Sequence, residues 1–223
     1  MKFLYLFFLS IITFDVFSKQ SFEPRDIYFN VYRNDSPIGY HKLNFFTNEK
    51  EIVANIEIKF EVTFLGFVVY DYFHKNTETW QNGKLNKLDS KTDKNGDSLF
   101  CTLQNQGGNY KVKGSSGEKS TDSYIIPTSY WRMELVESNY KSTLNTQDCS
   151  VINFKISFLG EEKIYNNKLN TKHYKLVGKE QTGEDVIIDI WYDNNKNWAK
   201  MIFIKDGTEI EYKDKNFDIN HDQ

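Results

Sequence analysis

The residues best suited to chemistry are the four histidines, His41, His74, His173 and His221. Zinc held by a strand takes ligands two residues apart, and zinc held by a helix takes a pair four apart; neither spacing occurs here. Cys101 and Cys149 form no C-x-x-C pair and have no histidine nearby in sequence, so neither a zinc set nor dithiol redox chemistry is expected. Gly114-Ser115-Ser116-Gly117 reads as a turn and lacks the strand-to-helix context of a nucleophile elbow. Asp193-Asn194-Asn195-Lys196-Asn197 lacks the central Gly and terminal Glu of a calcium loop and reads as a hairpin turn. Glu161-Glu162 and Glu209/Glu211 read as exposed. No catalytic residue, metal site or cofactor is expected.

One constellation stands out. Tyr72, His74, Asn76, Glu78 and Trp80 alternate along one strand face, a polar row flanked by aromatics. Such a row suits a pocket wall or the wet end of a sheet. His74 and Glu78 lie about 13 Å apart along the strand, too far for direct contact. A second candidate is the segment PTSYWRMELVE, residues 127–137. With Thr128 or Ser129 as N-cap and good helix formers over Trp131 to Glu137, it predicts one short helix. Tyr130, Trp131 and Met133 would present its apolar face, and Arg132 would meet an anionic head group or form a surface salt bridge. The candidate ligand-binding set is thus Tyr72, His74, Trp80, Tyr130, Trp131, Arg132 and Met133.

The elements that must position these residues are strands. Ile52, Ala54, Ile56, Ile58, Phe60, Val62 and Phe64 occupy one parity, and mostly polar residues the other, which predicts an antiparallel strand with one buried face. Thirteen residues reach about 43 Å, which suits a strongly curved sheet better than a compact sandwich. Ile152 to Phe158 repeats the alternation, while Ile187 to Trp191 and Met201 to Ile204 are apolar on both parities, as strands covered on both faces are. Asn82-Gly83 and Asn95-Gly96 predict two-residue hairpins. The first sets Glu78 against Lys87 and Trp80 against Leu85; the second sets Thr92 against Leu99 and Ser90 against Cys101. The fold class is mostly β: a large curved antiparallel sheet, a half-barrel or open barrel, with one short helix. Aromatic residues form 16% of the chain, as a large β-core or an apolar cavity requires.

Phe3 to Phe14 is almost wholly apolar after Met1-Lys2, and Val16-Phe17-Ser18 supplies small residues at the −3 and −1 positions. This is signal-peptide layout with cleavage after Ser18. The expected organisation is residues 1–18 as signal peptide and 19–223 as a single β-rich domain, periplasmic and without a transmembrane anchor. Outside the cytoplasm Cys101 and Cys149 form either a disulfide or two separate small side chains. Net charge is −3 and the arginines are Arg25, Arg33 and Arg132 alone; with no basic stripe, nucleic-acid binding is not expected.

Taken together, YDYFHKNTETWQNGKLNKLDSKTDKNG (70–96), PTSYW (127–131), LNTQD (144–148) and DIWYDNNKNWAKMIF (189–203), with IGYHKLNFF (38–46) before them, resemble an exported proteobacterial family, domain of unknown function 6134. The resemblance implies a periplasmic protein with a curved antiparallel sheet wrapped partly around a helix, and it implies no activity. Cys149 stands where a Gly is expected after the LNTQD segment. More remotely, the architecture is similar to periplasmic lipoprotein-localisation carriers, an analogy of fold. The function expected is therefore a binding protein holding a lipid or other apolar small molecule. The alternatives are a non-catalytic envelope scaffold that binds an envelope protein, and an envelope enzyme with His74 or His173 beside a carboxylate.

Overall fold

The computed structural model describes residues 22–205 and 207–218; the expected signal segment and its cleavage after Ser18 lie outside the described residues. Eight strands follow one another as a meander: β1 Ile27–Arg33, β2 Ser36–Thr47, β3 Glu51–Phe64, β4 Phe67–Gln81, β5 Lys84–Lys94, β6 Asp97–Gln106, β7 Asn109–Gly114 and β8 Gly117–Thr121. After the short β9 Ile126–Pro127, a second meander runs through β10 Tyr140–Leu144, β11 Val151–Ile164, β12 Leu169–Lys179, β13 Asp185–Asp193, β14 Trp198–Lys205 and β15 Thr208–Asp214. The two meanders join where β1 pairs antiparallel with β15, so all fifteen strands form one curved sheet.

The sheet is open, with β8 and β9 as its edges. The chain passes from one edge to the other through Asp122–Ile125, which spans at most about 14 Å. The edges therefore lie close together without pairing. β9 is a two-residue strand that pairs in parallel with β10, and its Pro127 has no N–H to offer a further neighbour.

What fastens the seam is the loop between β10 and β11. Cys149 in that loop is disulfide-bonded to Cys101 on β6. Ser116 N–H donates to the Asp148 carbonyl at 2.9 Å, Lys119 Nζ donates to the Cys149 carbonyl at 3.1 Å, and the Ser90 hydroxyl donates to the Thr146 carbonyl. Gly114 sits beneath this loop, and a Cβ there would fall 2.4 Å from the Asp148 carbonyl oxygen. Cys149 itself has φ +67°, the left-handed region that glycine enters without strain.

The Asn95-Gly96 hairpin has the expected register, with Thr92 opposite Leu99 and Ser90 opposite Cys101. The Asn82-Gly83 hairpin sets Trp80 opposite Leu85 as expected, but a bulge between Thr79 and Trp80 then sets Glu78 opposite Leu88 and Thr79 opposite Lys87. The expected Glu78–Lys87 pair does not form, because the bulge keeps Glu78 and Leu88 on the buried side and leaves Lys87 outside. The expected short helix is also corrected. Tyr130 has φ +61°, which turns the chain just before Trp131, and only Met133–Val136 coils, as a 3₁₀ helix begun by an extended Arg132 with no side-chain cap. An isolated helix this short has no stability of its own, and the tertiary contacts of Trp131 decide the path.

The disulfide closes a chain segment with a sequence separation of 48, a loop whose closure is worth about 4 kcal/mol in the unfolded chain. The Cys101→Ser/Cys149→Ser protein is expected to lose roughly 3–4 kcal/mol in urea unfolding. An unchanged midpoint would show that the seam holds without it.

Candidate functional site

Strand register sorts the barrel into two ends. One carries the β4–β5 turn, the β13–β14 turn and the 3₁₀ helix, and it is plugged. Trp131 is buried there against Phe45, Trp80 and Phe22, with ring centroids 5.0, 5.5 and 6.3 Å away. Tyr130 packs on Trp198 at 5.9 Å, and its carbonyl accepts from the Tyr192 hydroxyl at 2.6 Å.

Glu78 pins the plug to the wall. It is fully buried, and its carboxylate accepts from the Trp80 and Trp131 indole N–H groups, both at 2.9 Å, and from Asn76 Nδ2 at 2.8 Å. Burial raises its pKa, and the hydrogen bonds from Trp131 and Trp80 oppose that rise. Arg132 lies over the Trp80 ring at 4.6 Å and meets Glu134 at 2.6 Å and the Gly83 carbonyl at 3.4 Å. It faces the plugged end, beside Gly83 of the β4–β5 turn, and is absent from the cavity lining.

Above the plug, toward the other end, is a cavity of about 590 Å³, inside the roughly 300–1,000 Å³ range of small-molecule sites. Its walls are apolar, with Ile56, Ile58, Phe60, Ile188, Met201 and Phe203 among them, and Tyr72, Tyr130 and Tyr212 add phenol groups. Charged side chains (Arg33, Lys94, Glu180 and Glu184) belong to strand ends and turns at the open end.

The polar groups deeper in the wall are neutral. Burial lowers His41 to about 3, with help from neighbouring His74, and lowers His74 to about 4. Burial likewise raises the Tyr72, Tyr130 and Tyr212 phenols, which stay protonated. His74 Nδ1 meets the Thr92 hydroxyl at 2.8 Å and Nε2 lies 3.5 Å from the Thr146 hydroxyl. Neither nitrogen of His41 has a hydrogen-bond partner, and neither does Asn76 Oδ1.

Of the residues singled out in the sequence, the fold brings Tyr72, His74 and Tyr130 to the cavity, whereas Trp80, Trp131, Arg132 and Met133 build the plugged end. His41, Asn76 and Tyr212 complete the cavity. His41 shares parity with Leu43 and Phe45, which is the signal that marks it as inward-facing. His173 lies on the outer face, stacked on Trp191 at 4.1 Å. Its two nitrogens meet Glu162 and Asp189, each at 2.9 Å, so both are committed and neither addresses the cavity. Among the described residues no group of three His, Cys, Asp or Glu side chains can hold a metal, and no helix is long and apolar enough to cross a membrane.

Beside the open end the β3–β4 hairpin overshoots its neighbours. β2 pairs with β3 only as far as Phe60, and β5 with β4 only as far as Tyr72. Residues 61–70 therefore have strand partners only within the hairpin, which projects about 13 Å. The tip is apolar and exposed, with Leu65 at 81% and Phe67 at 75%.

The open barrel, its plugged end and its apolar-walled cavity define a β-barrel-like domain. A crystal structure of a beta-barrel-like protein of domain of unknown function DUF1849 from Brucella abortus has the same fold, with a TM-score of 0.62 at 13% identity over 85% of this chain and 94% of that one. The chain belongs to the family described as domain of unknown function DUF6134, which matches residues 29–215. A comparison with curated proteins finds no match.

The unfolded imidazole titrates near 6.5 and the folded His41 and His74 near 3 and 4. Their contribution to stability is present above pH 6.5 and is lost as the pH falls toward 4 and then 3. Urea unfolding of His41→Phe between pH 7 and pH 4 is expected to show a shallower loss than the parent protein. An unchanged slope would mean that His41 is accessible to protons in the fold.

Proposed function

We propose that this protein is a periplasmic binding protein that holds a lipid or other apolar small molecule in the barrel cavity. The observation that carries the reading is a cavity of about 590 Å³ walled by Ile, Phe, Met and Tyr side chains in a molecule large enough to fill its own core. A fully packed barrel of this size has no need of such a space, since protein interiors otherwise pack to near-crystalline density. The inner wall supports the same reading, because burial leaves the His41, His74 and Tyr130 groups without charge. The protein acts after removal of residues 1–18, as a single domain. The plug sets how deep a ligand travels, and the charged strand ends mark the entrance.

Native mass spectrometry of protein purified without detergent is expected to show a discrete added mass that extracts into organic solvent. The neutral fluorophore N-phenyl-1-naphthylamine is expected to bind the emptied protein, and Ile58→Trp, which fills the cavity from its wall, is expected to weaken that binding at least tenfold. Equal binding by the variant would place the fluorophore elsewhere.

A second reading, an interaction module for another envelope protein, is favoured by the overhanging β3–β4 hairpin, whose apolar tip is largely exposed. Exposed apolar patches of this kind mark contact surfaces. The Leu65→Ser/Phe67→Ser protein is expected to lose capture of a specific envelope protein in crosslinking from intact cells while binding the fluorophore as the parent does. Capture undiminished by the two serines would remove the hairpin from the contact.

A further inference from the structure

We infer that the ligand of this cavity carries an uncharged group that both donates and accepts hydrogen bonds, an alcohol or a carboxamide, and that this group is buried beside His41 and Asn76. The inference rests on the cavity-binding function proposed above and names the chemical class that binds. It begins from three polar atoms. His41 Nδ1, His41 Nε2 and Asn76 Oδ1 are buried, line the cavity wall, and have no hydrogen-bond partner in the protein. Such atoms are rare in folded proteins, and leaving them unmet destabilises the fold.

Their surroundings offer no alternative. The His41 ring meets Phe29, Trp198 and Tyr212 ring to ring, at centroid distances of 6.4, 5.2 and 5.9 Å. The Asn76 side chain is oriented by its own amide, which donates to the Glu78 carboxylate at 2.8 Å and so directs Oδ1 away from it. Register places the two residues on one inner face: His41 lies opposite Ile58, Ile58 opposite His74, and Asn76 two residues beyond His74. Both sites thus belong to the same wall of the cavity, on the plug side of its charged entrance.

The donor and acceptor inventory then selects the ligand. A neutral imidazole offers one N–H and one lone pair, and Asn76 Oδ1 accepts only. A complement must therefore donate as well as accept, as a hydroxyl or a primary amide does. An ester or ketone accepts alone; it could meet the imidazole N–H and the Ser129 hydroxyl, which is also unpartnered in the lining, but it leaves Asn76 Oδ1 and the imidazole lone pair unmet. An ionised carboxylate or phosphate also accepts alone. It would face the Asn76 oxygen as a like dipole and leave water for a wall where no described residue sets a cation beside it. Arg33 and Lys94 belong to the entrance, at the ends of β1 and β5, not to this wall.

The test is competition at pH 8 on the full mature protein, emptied by solvent extraction and refolded, with N-phenyl-1-naphthylamine as reporter. The competitors are hexadecan-1-ol, hexadecanamide, methyl hexadecanoate and hexadecanoate. The alcohol and the amide are expected to displace the reporter at concentrations at least tenfold below those of the ester and the acid. In His41→Phe/Asn76→Leu the tenfold preference is expected to disappear, each competitor being measured against the reporter affinity of that same variant. His41→Gln, which keeps a donor and an acceptor at the site, is expected to preserve it and serves where the double variant does not fold. Acid or ester competing as well as the alcohol would overturn this inference and leave the cavity function standing. Failure of the reporter and of every competitor to bind would overturn both.

Discussion

A carboxylate withdrawn from water must be met by donors in the protein, and Glu78 is met by two indoles and an amide. Two of the donors, Trp80 and Asn76, belong to the same strand as Glu78. The third, Trp131, belongs to the segment between β9 and β10. The bond from Trp131 therefore fixes a long, irregular stretch of chain at a defined depth inside the barrel. Its position follows from a polar requirement rather than from packing alone, because an apolar plug would slide along an apolar wall. Tyr130, held one residue away, becomes the floor of the cavity. The volume left above it is a consequence of where the Glu78 carboxylate sits on β4.

That dependence explains which parts of the molecule are legible in the sequence. The alternation of Ile52 to Phe64 shows an inward face because side-chain direction in a strand is a local property. The Asn95-Gly96 turn sets its register because a two-residue hairpin leaves no choice of partner. At Asn82-Gly83 the same rule holds for Trp80 and Leu85 and then fails, and a clue lies in the residues: Leu85 and Leu88 are of opposite parity, yet both are buried. Only an extra residue in one strand permits that. The sequence of 131–137 favours a helix, but helix preference amounts to tenths of a kcal/mol per residue. The hydrogen bond to a buried carboxylate is worth more than that, so the tertiary contact wins. Which edges meet, and that Cys101 finds Cys149, depends on curvature summed over fifteen strands, and no local pattern encodes it.

The site divides in the same way. Tyr72, His74 and Asn76 share a row whose parity is visible in the sequence, although that row alone does not distinguish a cavity wall from a wet sheet end. His41 lies 33 positions before His74 and becomes a neighbour of the row only through the register of β2 on β3 and β3 on β4. The strands apolar on both parities have a different explanation from a second covering layer. The outer side of Trp191 is covered by His173, stacked on it, and by Lys200, whose ammonium lies 5.2 Å from the ring centroid. Long polar side chains lying across the sheet shield its outer apolar positions.

The pairing of β1 with β15 places the first and last strands of the described residues side by side. Contacts at this sequence separation are the slowest to form, since the whole intervening chain must be ordered before they reward its entropy loss. Until β15 is available, the free edge of β1 carries Phe29 and Val31 beside unpaired backbone groups, a template for pairing with another molecule. A chain emerging from its N-terminus thus carries an incomplete edge until β15 has been synthesised. Protection against aggregation is needed from the first strand onward, and it is relieved only when the last one arrives.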